Sequence, residues 1–192
     1  PDWMGLEISG IVLEAPTNSR WKAGDSVCAL LGGGGYAEKV AVPCDMVLPV
    51  PNGLSLVQAA ALPEAYATAY LNLCLEGGMK AKDTIFIQAG ASGVGIAAIQ
   101  LAKFMGTKVI TTVGSDSKAT TVRELGADVV INRKKEDIAA VLVQHPVDIG
   151  LDCVAGPNLR ACLETLARGA RWIVIATLSS KLSEINMNDF FR

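Results

Sequence analysis

The sequence lacks most of the features that mark a metal site or a disulfide scaffold. Its 192 residues hold one histidine, His145, and five cysteines, Cys28, Cys44, Cys74, Cys153 and Cys162. The cysteines form no C-x-x-C pair and none lies near His145 in sequence, so no zinc-ligand or dithiol spacing is present. Scattered thiols suit a reducing compartment, and a cytoplasmic location is expected. No charge of one sign dominates: 17 Lys and Arg stand against 19 Asp and Glu, a net of -2. This balance argues against nucleic acid and against an anionic membrane surface as partners. No stretch reads as a membrane span, because the most apolar one, 55–75, is broken by Gln58, Pro63, Glu64 and Asn72. Repeats, coiled-coil heptads and low-complexity tracts are also absent. The chain opens at Pro1 and closes on Phe190-Phe191-Arg192. Both ends read as cuts in a longer chain, with any targeting segment outside them.

Against these absences stands a high apolar content, 51% of residues. Parallel strands buried on both faces account for it. The stretch that organises the rest is TIFIQAGASGVG, residues 84–95. Residues 84–88 are a β-branched and aromatic run that predicts a buried strand. A glycine-rich turn follows, and the pattern from Ile96 to Ala102 predicts a helix. Strand, glycine turn and helix form the unit that carries a pyrophosphate on a helix N-terminus, where free N–H groups and the positive dipole end face the anion. Ala91, Ser92, Gly93, Val94 and Gly95 are the candidate phosphate-binding residues. Gly90, Gly93 and Gly95 space as G-x-x-G-x-G rather than G-x-G-x-x-G, so the flanking strand and helix carry the assignment.

Residues 1–50 predict short strands with glycine turns: 6–13, 26–31 and 36–42. The run Gly32-Gly33-Gly34-Gly35 has no helix start after it and reads as a flexible loop. Residues 55–75 predict helix. Ser55 and Gln58 fit a capping box, Pro63 breaks the helix so that Glu64 starts a second one, and Gly77-Gly78 stops it. Beyond residue 84, strands are predicted at 84–88, 108–113, 128–132, 147–152 and 171–176. Helices are predicted at 94–105, 117–125, 135–144 and 157–167. This alternation predicts an α/β fold, a Rossmann-type doubly wound parallel sheet.

A dinucleotide site makes a second prediction, about 20 residues on, where the tip of the second strand meets the adenosine ribose. An acid there would accept from the ribose 2′-hydroxyl and favour NAD. Here the tip is Gly114-Ser115, and Lys118 and Arg133 are placed to pair with a 2′-phosphate. The preferred cofactor is therefore NADPH. Asp116 is the dissenting residue if it points inward, and the alternative for Lys118 and Arg133 is that they are ordinary solvated charges.

Six segments together resemble a known family. They are GLEISGIV (5–12), WKAGDSVCALLGGGGYAEKVAVP (21–43), AAALPEAYATAY (59–70), AGASGVGIAAIQLAK (89–103), RELGADVVINRKKED (123–137) and LDCVAG (151–156). In order and spacing they resemble the zinc-independent quinone oxidoreductase branch of the medium-chain dehydrogenase/reductase superfamily, nearest the p53-inducible quinone oxidoreductase type. The resemblance implies part of a GroES-like catalytic domain over 1–54. It also implies an NADP-binding Rossmann domain over 55–192, incomplete at its C-terminus, with NADPH between the two. It implies hydride transfer to a small-molecule quinone or related α,β-unsaturated carbonyl acceptor, and a homodimer for the full-length protein. It carries Thr68 to the nicotinamide-side phosphate or ribose, and Val154, Ala176 and Leu178 to loops bordering the nicotinamide. Zinc-dependent relatives resemble G-H-E where this chain has Gly5-Leu6-Glu7, and the four-cysteine structural cluster is missing, so no metal is expected. Relatives often carry Tyr where this chain has Arg133. Most substrate-facing residues would lie before Pro1, and the last strand and dimer contact after Arg192, so these residues alone are not expected to form a working enzyme.

Other readings of the residues point elsewhere. Gly90-Ala91-Ser92-Gly93-Val94 nearly matches the nucleophile elbow G-x-S-x-G, with His145 and Asp148 downstream, but Val94 replaces its last glycine. No Lys-Ser/Thr follows the glycines, which excludes a P-loop. A non-catalytic NADPH-binding protein with a structural or sensing role is the rival that the fold does not separate from an enzyme.

Overall fold

Alternating apolar strands and helical stretches, expected from residue 84 onward, occur as expected in the computed structural model, which describes residues 3–188. The end residues Pro1 and Phe190, Phe191 and Arg192, read above as cuts, lie outside the described residues. The chain divides into two compact units, Pro1–Ala67 and Thr68–Arg192.

In the first unit, strands β1 (Glu7–Ile11), β2 (Ser26–Leu30) and β3 (Val47–Pro49) form an antiparallel sheet in the order β1-β2-β3. The ladders pair Ser9 with Cys28 and Cys28 with Leu48. Val27, Cys28 and Ala29 of the central strand are buried. The strand expected at 36–42 is not formed, and the third strand is Val47–Pro49 instead. A strand needs a partner for its N–H and C=O groups. Both edges of β2 are taken by β1 and β3, and the chain at Gly35 turns back on Gly5, whose carbonyl accepts the Gly35 N–H at 2.9 Å.

The helical stretch from Ser55 is interrupted as expected. Ser55 caps α1 (Leu56–Ala59) in a capping box, its N–H donating to Gln58 Oε1 at 2.9 Å and its Oγ accepting the Gln58 N–H at 3.3 Å. Pro63 is the first residue of α2 (Pro63–Tyr70), where its missing N–H costs nothing. Glu7 Oε2 accepts the Glu64 N–H at 2.9 Å, placing a carboxylate on the positive end of that helix.

The second unit begins at Thr68 and continues through a π-helical turn, Leu71–Glu76, which closes with the Gly77 N–H donating to the Asn72 carbonyl at 2.8 Å. Its sheet holds β4 (Thr84–Ile87), β5 (Lys108–Val113), β6 (Val129–Asn132), β7 (Val147–Asp152) and β8 (Leu166–Val174). The order is β6-β5-β4-β7-β8, with every pair parallel. The connections run through α3 (Gly93–Phe104), α4 (Asp116–Glu124), α5 (Ile138–Leu142) and α6 (Leu159–Leu163). Phe86, Ile110, Ile131, Leu142, Val147 and Cys162 form a core cluster, and Trp172 packs on Phe86 with ring centroids 5.6 Å apart. Burial pushes the Cys162 thiol up to about 12, helped by the charge of Asp152, so it behaves as an apolar group.

The helix expected over 157–167 is shorter, and the strand expected at 171–176 starts earlier. Residue Leu166 already pairs with Val147, and the register then shifts so that Arg171 pairs with Ile149. The apolar run after Asn158 has helical periodicity, but β7 offers an open ladder edge. Gly169, at φ +80°, lies in the segment that absorbs the extra residues.

Candidate functional site

The sheet turns direction at β4. Strands β5 and β6 lie on one side of it, β7 and β8 on the other. In such a sheet the crevice beyond the carboxyl ends of the diverging strands is the ligand site. A small cleft is present there, lined by Ile87, Gln88, Ser92, Val94, Gly95, Leu151, Cys153 and Ile175.

The glycine turn is held from both sides. The Ala89 N–H donates to Thr112 Oγ1 and the Gly90 N–H to the Thr112 carbonyl, each at 2.9 Å. Ala89 adopts φ +54°, a conformation that an L-residue takes only when its surroundings impose it. Ser92 caps α3, its Oγ accepting the Gly95 N–H at 3.1 Å. The next two amides, those of Gly93 and Val94, have no protein acceptor among the described residues. Two glycines here have different reasons. A Cβ on Gly95 would stand 2.5 Å from the Ala89 carbonyl oxygen, so helix and strand meet only because it is absent. A Cβ on Gly93 would meet nothing within 4 Å. Nothing in the fold demands glycine at Gly93, and the space beside it, next to two open amides on a helix N-terminus, fits an anionic group that approaches the backbone.

At the tip of β5, Ser115 caps α4, and Arg133 lies over Gly114, its Nη2 3.5 Å from where a Gly114 Cβ would be. Lys118 is exposed on the first turn of α4. Neither Lys118 nor Arg133 is in an ion pair among the described residues. Asp116 is engaged: its Oδ1 accepts from Asn132 Nδ2 at 2.7 Å and its Oδ2 from Lys135 Nζ at 2.6 Å. The hydrogen bond from Lys135, then that from Asn132, hold its carboxyl below the usual carboxylate range.

Beyond β7, the loop bearing Val154 is shaped by a buried carboxylate. Asp152 Oδ1 accepts the N–H groups of Val154 at 2.7 Å and Ala155 at 2.8 Å, and Oδ2 accepts Trp172 Nε1 at 3.1 Å. The segment after β8 folds back on that loop, with the Leu178 N–H donating to the Cys153 carbonyl at 3.1 Å. The Cys153 thiol is pushed up by burial and by Asp152 and stays protonated at neutral pH. Ala91 through Gly95, Val154 and Leu178 are therefore tied to loops at one end of the sheet, and Ala176 lies two residues past β8. Gly114, Ser115, Lys118 and Arg133 gather at the neighbouring β5 and β6 tips. Thr68 is not joined to them among the described residues; its backbone carbonyl accepts from Asn72 Nδ2 at 2.8 Å.

Sequence reasoning missed Asp152, Asn132 and Lys135. An acid ending a strand before C-V-A-G is a sequence sign of a side chain that gathers the following amides. For Asn132 and Lys135 there was no such sign, since their partner Asp116 is 16 and 19 residues away. The hydrolase reading fails on geometry. Ser92 follows the carboxyl end of β4, whereas His145 Nδ1 lies 3.1 Å from Nζ of Lys108, the first residue of β5. In a parallel sheet those are opposite ends.

The chain matches the family described as Zinc-binding dehydrogenase over residues 93–192 and the one described as Alcohol dehydrogenase GroES-like domain over residues 1–52. The chain belongs to the medium-chain dehydrogenase/reductase superfamily. The α/β fold with its five-stranded parallel sheet, and a GroES-like N-terminal part with an antiparallel sheet, are those expected. Among its relatives is the squalestatin tetraketide synthase of Phoma sp. (strain C2932), 34% identical over 200 residues. That match covers 98% of this chain and 8% of the synthase. Escherichia coli quinone oxidoreductase complexed with NADPH superimposes with a TM-score of 0.87 at 29% identity, over 96% of this chain and 59% of that one. The CurK enoyl reductase superimposes with a TM-score of 0.86 at 26% identity, over 95% of this chain and 56% of that one. This chain thus spans little more than half the length of these solved reductases. Zinc is implied by one family description, but among the described residues no group of three or more His, Cys, Asp or Glu is placed to hold a metal. No helix of the described residues is long and apolar enough to cross a membrane.

Proposed function

We propose that this chain is the dinucleotide-binding core of a zinc-independent, NADPH-dependent oxidoreductase that transfers hydride to quinones or related α,β-unsaturated carbonyls. The observation that carries the reading is the pair of open amides at Gly93 and Val94, beside a glycine whose missing side chain the fold itself does not require. The likeness to a quinone oxidoreductase complexed with NADPH supports it.

When bound, NADPH supplies the hydride. The chain's own residues bind and orient. The α3 N-terminus, with Ser92 drawn in by the Gly95 amide, receives the pyrophosphate on Gly93 and Val94. Arg133 and Lys118 receive the 2′-phosphate, Arg133 with the option of stacking on adenine. The Val154 loop, held by Asp152, and the segment with Ala176 and Leu178 border the nicotinamide side. Thr68 is assigned there through the family resemblance alone. No base is assigned, because a quinone or enone accepts hydride unaided and a proton is available from solvent. The domain boundary at 54/55, a homodimer and a cytoplasmic location belong to this same reading. The likeness to CurK enoyl reductase favours an enone as the second acceptor to try.

The test is NADPH oxidation by the full-length protein with an ortho-quinone and with an enone, run beside NADH, for wild type and Gly93→Ala. Acceptor-dependent oxidation that prefers NADPH is expected. The variant keeps its circular dichroism and binds NADPH at least about tenfold more weakly, the order of one strong charge-assisted contact. Tight NADPH binding without turnover on any acceptor would favour the binding-protein rival. Unchanged binding in the variant overturns the phosphate assignment.

A further inference from the structure

The acid at the β5 tip should argue for NAD, since a carboxylate there accepts from a ribose 2′-hydroxyl and repels a 2′-phosphate. Asp116 stands one residue beyond Ser115, at the first position of α4, and is exposed. Each of its carboxylate oxygens nevertheless already accepts a hydrogen bond from the turn after β6. Asn132, the last residue of β6 and only 7% exposed, donates to Oδ1 at 2.7 Å. Lys135 donates to Oδ2 at 2.6 Å. Asn132 is itself fixed: its N–H donates to Glu136 Oε2 at 2.8 Å and its Oδ1 accepts the Lys134 N–H at 3.2 Å. The turn after β6 therefore presents one amide and one ammonium to Asp116 at the β5 tip. Arg133, between them in sequence, is left lying over Gly114 with no carboxylate partner among the described residues.

We propose that Asn132 and Lys135 act as a clamp that takes Asp116 out of the ribose site and so sets the preference for a 2′-phosphorylated cofactor. This rests on the NADPH reading above. The clamp works by subtraction. Lys135 pairs with the carboxylate that stands at the β5 tip among the described residues, and Asn132 fixes its direction toward β6. The charges of Lys118 and Arg133 are then uncancelled where the 2′-phosphate arrives. Lys135 is a positioning residue, acting through Asp116 rather than on the cofactor.

The experiment is calorimetric binding of adenosine 2′,5′-bisphosphate and of 5′-AMP to the full-length protein. Wild type, Lys135→Met, Asp116→Asn and the double variant are compared, so the readout needs no turnover. Wild type should prefer the bisphosphate. Lys135→Met should weaken the bisphosphate by about tenfold, as expected for one freed charge near a phosphate, with 5′-AMP unchanged or tighter. The double variant should recover wild-type bisphosphate binding, because no carboxylate is left to release. Asp116→Asn alone should bind the bisphosphate at least as well as wild type. A double variant as weak as Lys135→Met would mean that Lys135 touches the phosphate itself, which overturns the clamp while leaving NADPH standing. Unchanged binding in Lys135→Met also overturns the clamp. A wild type that does not discriminate between the two nucleotides overturns the NADPH reading and the clamp together.

Discussion

The two units of this chain handle their apolar residues differently. In Thr68–Arg192, strands β4, β5 and β7 carry runs such as Ile85, Phe86 and Ile87 that are buried on both faces. In Pro1–Ala67 the sheet has three short strands, and large apolar side chains stay in solvent: Ile11 is 47% exposed, Leu48 50% and Val57 85%. A parallel sheet covered by its own crossover helices encloses its core within one stretch of chain. Of the three antiparallel strands only Val27, Cys28, Ala29 and Val47 are buried apolar residues, so this small sheet encloses little core. Stability is therefore concentrated in the second unit, and substitutions there and in the first unit should differ sharply.

The largest contrast is expected at Phe86. It is fully buried in the core cluster against Trp172. Phe86→Ala should cost about 3–5 kcal/mol, from lost transfer energy and the cavity left behind. Urea unfolding checks it, and a loss below 1 kcal/mol would mean that the second unit is not the stable one.

A smaller effect is expected at Asp128, which joins α3 to β5. Its carboxylate accepts from Lys103 Nζ at 2.9 Å and from the Val109 N–H at 2.7 Å. Burial raises its pKa, but the Lys103 and Val109 hydrogen bonds and nearby positive charge outweigh that and hold it below its ordinary 3.8. Asp128→Ala should cost about 1 kcal/mol at neutral pH, already discounted for the exposure of the pair. Because the folded carboxyl titrates below its unfolded value, its contribution is full above that value and is lost as pH falls through the lower folded one. The gap between wild type and variant should thus close in strong acid. A gap independent of pH would mean that packing, not charge, is responsible.

The smallest effect is expected in the first unit. Leu48→Ser, at a half-exposed position of β3, should change stability by less than about 0.5 kcal/mol while reducing exposed apolar surface. A loss near that of Phe86→Ala would show that something covers this face.

Much of this architecture was written locally in the chain. The turn of residues 84–95 carries its strand, glycines and helix cap within twelve positions, and the alternation that follows it was enough to predict the parallel sheet. The Ser55 capping box and the Pro63 helix start were likewise legible, because each depends on neighbours three or four residues away. What failed depended on distant partners. Residues 36–42 have strand composition but pair with no strand, and Leu166, inside the expected helix, pairs with Val147 of β7 instead. The same limit applies to the site. Gly93 and Gly95 look alike in sequence, and only the approach of the Ala89 carbonyl separates a packing glycine from an open one. Asp116 and Lys135 are ordinary exposed charges in sequence. Their meeting, with Asn132 beneath them, exists because β5 and β6 lie side by side, and a contact of that kind is decided by the tertiary fold alone.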